Sequence, residues 1–556
     1  MSKNQKRKKQ APGRNEPCWC GSNKKFKRCH GSQSKIVPHT KGEDLNSSPR
    51  EQIDEQIRIL LSRKEAAELQ RQQQQGKGRR IISTEFKGYR VVAVGNKIYW
   101  SKNWLTVHDF LLSYIKSILG LDWGSNEQKK PKDIQHPILR WYQLVTEKQA
   151  ETIKERGKIY SADMTGAVAA YLHLAYGLYL IAHNEKLQVR LVERLKNTDQ
   201  FFGALYEIRI AAAFVRSGFK IEFENEDDGG TTHCEFTATC IESGKKYSVE
   251  AKGRHPSESS GIEKFRWGRR LQKALSKKAN HQRIVFLDVN APDDATDEEV
   301  PKFLQKALDH IRKFEGRKLL GHPLEPAYVF VTNFPYHHHL RGTTFRVSVL
   351  AEGFQISDFK GGSSFPSIHE AVTARDKHID MVNLLASFTE YGRIPVTFDG
   401  EIPEFSYQEN PDRLLIGNSY LITGPDGTER VGKLQSATVA EDDRIVYGIY
   451  LLENNEHVIC TSLLSDSEFS AYKQHPDTFF GALIPVGRQI KGPIDMYDWI
   501  FSVYNQSSKE SLLKLMKSEN DEQLNRLTQH ELAKLYSERM ATAMIQQTKS
   551  AEPDRK

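Results

Sequence analysis

FFGALYEIRIAAAFVRSGFKIEFENEDDGGTTHCEFTATCIESGKKYSVEAKGR, residues 201–254, is the stretch on which the reading of the fold turns. Its first part has helical spacing. Leu205, Ile208, Ala212 and Val215 form one apolar stripe, and Gly218 stops the helix. Glu207 lies on a neighbouring row with Ile210, Ala211 and Phe214, so its carboxylate is set among apolar side chains. Residues 219–224 then alternate as a strand, and 227–230 read as a loop. Residues 233–240 and 246–252 read as strands joined by a tight turn at Ser243-Gly244. Glu250 and Lys252, two apart on a strand, share one face, and Glu235 on the preceding strand is within lateral reach.

An acid-x-Lys tripeptide is uninformative alone, since Glu85-Phe86-Lys87 and Asp358-Phe359-Lys360 share it. Neither of those has comparable acidic neighbours on expected elements. Oxygen donors from Glu235, Glu250 and the Ala251 carbonyl suit Mg2+ or Mn2+ that keeps several waters. Such an ion would neutralise mutually repelling carboxylates, polarise a phosphodiester and acidify a bound water. Lys252 would orient or deprotonate that water or stabilise developing charge, and Glu207 would complete the metal shell or orient Lys252. Asp228, in a Gly-rich loop, is the alternative to Glu235 as a ligand.

A basic helix over 261–280 and buried strands at 283–289 and 328–332, with a helix between, extend the order to α-β-β-β-α-β plus a further α-β. This arrangement resembles the PD-(D/E)xK nuclease superfamily over roughly residues 201–333. The resemblance implies a restriction-endonuclease-like mixed sheet flanked by helices. It makes Glu207 the helix carboxylate, Glu235 the first strand acid, and Glu250 and Lys252 the signature pair. The chain departs from the family in carrying Glu235 where Asp is usual, preceded by Cys234 in place of Pro. The competing readings are a surface ion-pair face on an edge strand and a nuclease-like scaffold without activity. Lys264, Arg266, Arg269, Arg270, Lys273, Lys277 and Lys278, with Trp267 interleaved, would suit phosphate contacts and base stacking; a solvated charged helix is the bland alternative.

Far upstream, PCWCGSNKKFKRCHG (17–31) places Cys18, Cys20, Cys29 and His30 in one short, polar window. Three thiolates and an imidazole suit tetrahedral zinc, and metal binding would supply the folding free energy that so small a segment lacks. GRNEPCWCGSNKKFKRCHG (13–31) resembles the SEC-C motif, which implies zinc binding and recruitment of a protein partner such as a chaperone or the ribosome.

The 556 residues imply several domains. The fold class expected is multidomain α+β and α/β. It comprises a basic arm and zinc module (1–35), a linker and charged helix (36–80), an α-rich region (81–195), the nuclease-like domain (196–345), a connecting region (346–393), a small β-rich domain (394–505) and a helical tail (506–556). The net charge of +9, with Lys3, Lys6, Arg7, Lys8 and Lys9 crowded at the start, permits a nucleic-acid partner, DNA or RNA. Scattered Cys234, Cys240 and Cys460 argue for a reducing compartment over a disulfide framework. The apolar run 167–182, interrupted by His173, is short for a bilayer span and reads as a buried helix. With no apolar segment following the basic start, a cytoplasmic protein without membrane insertion is expected.

The leading functional expectation is a Mg2+- or Mn2+-dependent nuclease recruited by its zinc module. The alternative is a non-catalytic zinc-binding adaptor, associated with the ribosome, a translocase or nucleic acid. Purified chain should carry one zinc ion per molecule by atomic emission, and Cys20→Ser should lose it.

Overall fold

Alternating side chains make strands wherever both faces can be covered, and the central sheet is built that way. Phe219–Phe223 (β1), Phe236–Cys240 (β2), Lys246–Lys252 (β3), Gln282–Asp288 (β4), Ala327–Asn333 (β5) and Ser348–Phe354 (β6) pair in the order β6-β5-β4-β3-β2-β1. The computed structural model describes residues 35–38, 49–223, 234–254, 267–293, 301–319, 322–361, 365–407, 413–423, 428–483, 492–516 and 522–551. β1 to β3 form an antiparallel meander, β3–β4 and β4–β5 are parallel, and β6 returns antiparallel. Parallel neighbours need crossovers, and helices Trp267–Leu275 (α2) and Lys302–Phe314 (α3) lie in the two connections.

Each face has its own core. Helix Phe201–Arg216 (α1) packs Leu205, Ile208 and Phe214 into one core with Val249, Ala251, Phe286 and Phe330. α2 and α3 bring Leu271, Leu304 and Ile311 to the other face, against Val285, Leu287 and Val329. Residues paired across a sheet share a face, so the register places side chains directly. Glu250, opposite Val285, and Lys252, opposite Leu287, stand on the α2/α3 face, and Ala251, opposite Phe286, on the α1 face. Trp267, expected to stack on bases, is instead buried in the α2/α3 core. Of the helix expected over 261–280, residues 261–266 lie outside the described residues, and the helix ends at Leu275, leaving 276–280 with Lys277 and Lys278 beyond it.

The chain divides into two compact units, Met1–Gln73 with Asp399–Val486 and Gln74–Phe398 with Gly487–Lys556. In the larger unit, helix Gly166–Ile181 packs on α1. The contact is close at Gly177, where an added Cβ would lie 2.7 Å from Ile208 Cγ2. This is the apolar run of the sequence, and no described helix is long and apolar enough to cross a membrane. The β2–β3 turn is tied down by Ser243 Oγ and Tyr247 OH, each donating to Asp380 Oδ2 at 2.8 Å. Within the region expected to be α-rich, the strands Tyr89–Val94 and Lys97–Ser101 form a hairpin around Gly95, with Ile82–Phe86 added as a third strand. In the helical tail, the helix Glu522–Arg526 breaks off and resumes as Gln529–Ala551. Thr528 restarts it: its Oγ1 accepts from Glu531 N–H, and Glu531 Oε2 accepts from Thr528 N–H at 2.8 Å.

The smaller unit is an antiparallel five-stranded sheet, Lys35–Pro38, Ser419–Thr423, Glu429–Ala440, Ile445–Leu452 and His457–Leu463 in that order. Its first strand comes from a segment that reads as linker, because four residues carry too little alternation to register. Tyr420, Leu434 and Tyr450 form its core with Tyr472 and Phe479.

Phe214 is fully buried, with its ring 5.1 Å from Phe219, 5.5 Å from Phe236 and 5.9 Å from Phe286. Phe214→Ala should cost about 3–5 kcal/mol of unfolding free energy, measured by denaturant titration.

Candidate functional site

Four charged side chains meet at the C-terminal end of β3. Glu250 is 1% exposed. Its Oε1 is in ion-pair contact with Lys252 Nζ, and its Oε2 lies 2.9 Å from Lys277 Nζ. Glu235, just before β2, has Oε1 3.3 Å from Lys252 Nζ and 3.5 Å from Lys277 Nζ. Two carboxylates and two ammonium groups therefore interleave.

The backbone explains the placement. Glu235 N–H donates to Val249 O at 2.9 Å, which locks Glu235 beside the signature strand. Lys277 follows the end of α2, where its carbonyl accepts from Arg283 Nη2 at 2.7 Å. The neighbouring Lys278 carbonyl accepts from Cys234 Sγ at 3.6 Å. The cysteine standing where the resembled family has proline thus helps hold the turn that delivers the second lysine.

Electrostatics follow from burial. Removal from water raises the Glu250 pKa, and the Glu235 charge raises it further, while Lys252 and Lys277 oppose both. Burial alone would lower the pKa of Lys252, but Glu250 and Glu235 push it up to about 12. Lys252 is thus an ammonium throughout the neutral range.

Both Glu250 oxygens are buried, and each is in contact with an ammonium, Oε1 with Lys252 and Oε2 with Lys277. Val249 O points toward β2, and alternation points the Ala251 carbonyl the same way, beyond the last β2–β3 pair, Phe236↔Val249. Among the described residues no group of three or more His, Cys, Asp or Glu forms a metal cage. Two carboxylates and a carbonyl are hard oxygen donors of the type Mg2+ takes, with the rest of its shell left to water.

Glu207 comes from α1, on the opposite face of the sheet. It is 7% exposed and held in a two-pronged pair by Arg194, with Nη1–Oε2 at 2.6 Å and Nη2–Oε1 at 2.7 Å. Burial raises its pKa and the Arg194 hydrogen bonds lower it. Glu235 and Lys252 also act on it, so it borders the cluster electrostatically without touching it. Arg194 and Lys277 are the two members that sequence reasoning missed. Lys277 was visible only as one of many basic residues, and Arg194 as an ordinary charge near a helix end. Asp228, Lys264, Arg266 and the zinc set Cys18, Cys20, Cys29 and His30 lie outside the described residues.

Deeper in, the ends of β4 and β5 hold a buried polar network. Tyr206 OH and Thr332 Oγ1 are 2.8 Å apart, and Thr332 donates to Asp288 Oδ1 at 3.1 Å. Asn290, at φ +48°, turns the chain after β4 and donates to Arg254 O at 2.8 Å. His338 Nε2 sits 3.2 Å from Asn290 O and so braces this turn.

The comparisons with known proteins bear on the other end of the chain. Residues 14–32 match the SEC-C motif. Over 19 residues the chain is 90% identical to the protein translocase subunit SecA of Pseudomonas putida, in strain after strain. That match covers 3% of this chain and 2% of SecA, so the chain spans about 2% of the length of the curated relatives it matches. No solved structure matches the chain.

Asp288 generates a pH prediction. Burial pushes its pKa up to about 7, against the pull of Arg209 and Thr332. The folded state therefore binds this proton more tightly than the unfolded chain. Stability from this group is greatest below pH 4 and falls as pH rises through about 7. Asp288→Asn should flatten that decline: its stability relative to the parent should rise between pH 5 and pH 8 by on the order of a few kcal/mol, measured by urea denaturation.

Proposed function

We propose that the chain is a metal-dependent nuclease-like enzyme that hydrolyses nucleic-acid phosphodiesters. In this reading its SEC-C segment, with Cys18, Cys20, Cys29 and His30 as zinc ligands, recruits a protein or nucleic-acid partner. The observation that carries the reading is the meeting of Glu235, Glu250 and Lys252 at one strand end. The α-β-β-β-α-β order with a parallel β3–β4 pair supports a restriction-endonuclease-like core around them.

Glu235, Glu250 and the Ala251 carbonyl would hold Mg2+ or Mn2+. When bound, the ion supplies charge to polarise a phosphodiester and acidify a water. The rest falls to the chain. Lys252, kept protonated by its two carboxylates, acts as a fixed point cation that stabilises charge developing on phosphate oxygens; its raised pKa disfavours the role of base. Glu250, deprived of water, holds that ammonium in place. Lys277 shares Glu250 and gives a phosphate a second cationic contact. Glu207, committed to Arg194, ties α1 to the preceding helix Glu185–Lys196 and adds negative field without joining the donor set.

The second reading is a non-catalytic adaptor. It is favoured by the balance of the cluster, in which both carboxylates already have cationic partners. The test is an assay of the purified full chain on single- and double-stranded DNA and RNA with Mg2+ or Mn2+, beside Lys252→Ala. The nuclease reading expects cleavage that falls at least ~100-fold in the variant. Equal cleavage by both proteins removes Lys252 from the chemistry, and no cleavage of any substrate favours the adaptor.

A further inference from the structure

On the α1 face, opposite Glu250 and Lys252, lies a cavity of about 630 Å³. Helix Gly166–Ile181 contributes His173 and Tyr176, α1 contributes Arg209 and Arg216, and the segments after β5 and before β6 contribute Phe334 and Arg346. Arg209 and Arg216 are two helical turns apart and so share one face of α1. Arg393 adds a fourth guanidinium, and no Asp or Glu lines the cavity.

Two of these arginines lack what buried arginines normally have. Arg216 is 7% exposed, and its Nε has no hydrogen-bond partner. Arg209 Nε and Nη2 are likewise buried and unpartnered, with the guanidinium 5.1 Å from both the Phe334 and Tyr336 ring centres. Ser348 Oγ, also in the wall, is buried without a partner. Arg346 differs, because Asp293 Oδ2 accepts from its Nε at 3.2 Å. Uncompensated buried charge is costly, and buried donors are nearly always satisfied. A fold that keeps two guanidiniums with unpartnered N–H donors on one cavity wall is set up to receive an anion. His173, half-buried beside Arg216 and Arg209, is pushed down to about 3 by loss of water and by the two guanidiniums. It is therefore neutral and adds no competing charge. Its ring stacks on Tyr336 at 5.2 Å.

We propose that this cavity binds a small phosphorylated molecule carrying a planar ring, of the nucleoside-monophosphate class. The volume falls in the range of small-molecule pockets. Planar guanidiniums match phosphate oxygens two at a time, and Tyr176, Phe334, Tyr336 and Phe388 offer apolar surface for a ring. The site is independent of the nuclease reading, since it shares no residue with the Glu235–Glu250–Lys252–Lys277 cluster.

The test uses the full chain, thermal melts and isothermal titration, with AMP, GMP, CMP and UMP as probes. Adenosine and inorganic phosphate at equal concentration and matched ionic strength are the controls. At least one monophosphate should bind stoichiometrically and raise the melting temperature, at least 10-fold more tightly than either control. Arg216→Met should weaken that binding at least 10-fold, while the ligand-free variant melts no lower than the parent, because a buried charge with an unpartnered donor has been removed. Arg393→Gln gives a second variant that leaves α1 intact and should also weaken binding. Failure of all four monophosphates, control binding as tight as theirs, or unchanged affinity in both variants would overturn the proposal. So would a ligand-free Arg216→Met that melts well below the parent, since that would make Arg216 a structural residue.

Discussion

A carboxylate buried inside a sheet must be matched by cations or it will not stay ionised, and Glu250 sets that demand for the whole centre of this molecule. Its oxygens are withdrawn from water and reached by Lys252 from its own strand and Lys277 from the turn after α2. Much of the surrounding backbone is arranged to keep those contacts. Arg283 and Cys234 hold the Lys277 turn, and the Glu235–Val249 hydrogen bond brings the second acid alongside. Removing either lysine leaves a buried charge short of a partner, which is why the cluster behaves as one unit.

The sheet separates two kinds of chemistry. Glu250 and Lys252 stand on the α2/α3 face. α1 covers the other face and carries three charges within three turns, Glu207, Arg209 and Arg216. Glu207 is satisfied by Arg194, whereas the two arginines point to a cavity without an acid in its wall. One helix thus presents a closed ion pair near the strand end and an open cationic wall beyond it. Asp288, at the end of β4, acts on Arg209 through space.

The three acid-x-Lys sequences show how far local pattern reaches. Glu85 pairs with Arg90 across an exposed hairpin, and Lys87 sits in its turn at φ +50°. Lys360 pairs with Glu315, and Asp358 with Lys377 and His378. These are ordinary ion pairs at the rim of elements. Only Glu250-Ala251-Lys252 lies in a strand buried on both faces with a second acid beside it. Burial on both faces depends on what α1, α2 and α3 bring from elsewhere, so the tripeptide could be ranked from its neighbours but not measured from them.

From sequence alone came the meander, the shared face of Glu250 and Lys252, the apolar stripe of α1 and the metal-ligand spacing at residues 18–30. All of these rest on short-range periodicity or on side-chain chemistry in a single window. Tertiary structure decided which cations meet Glu250 and Glu207, the pairing of Lys35–Pro38 with Ser419–Thr423, the burial of Trp267, and the unpartnered guanidinium donors of the α1 cavity. Each of these joins residues distant in the chain or depends on what fails to arrive beside a charge. Local patterns carry no record of such meetings, because the energy of a buried charge is set by its surroundings in space.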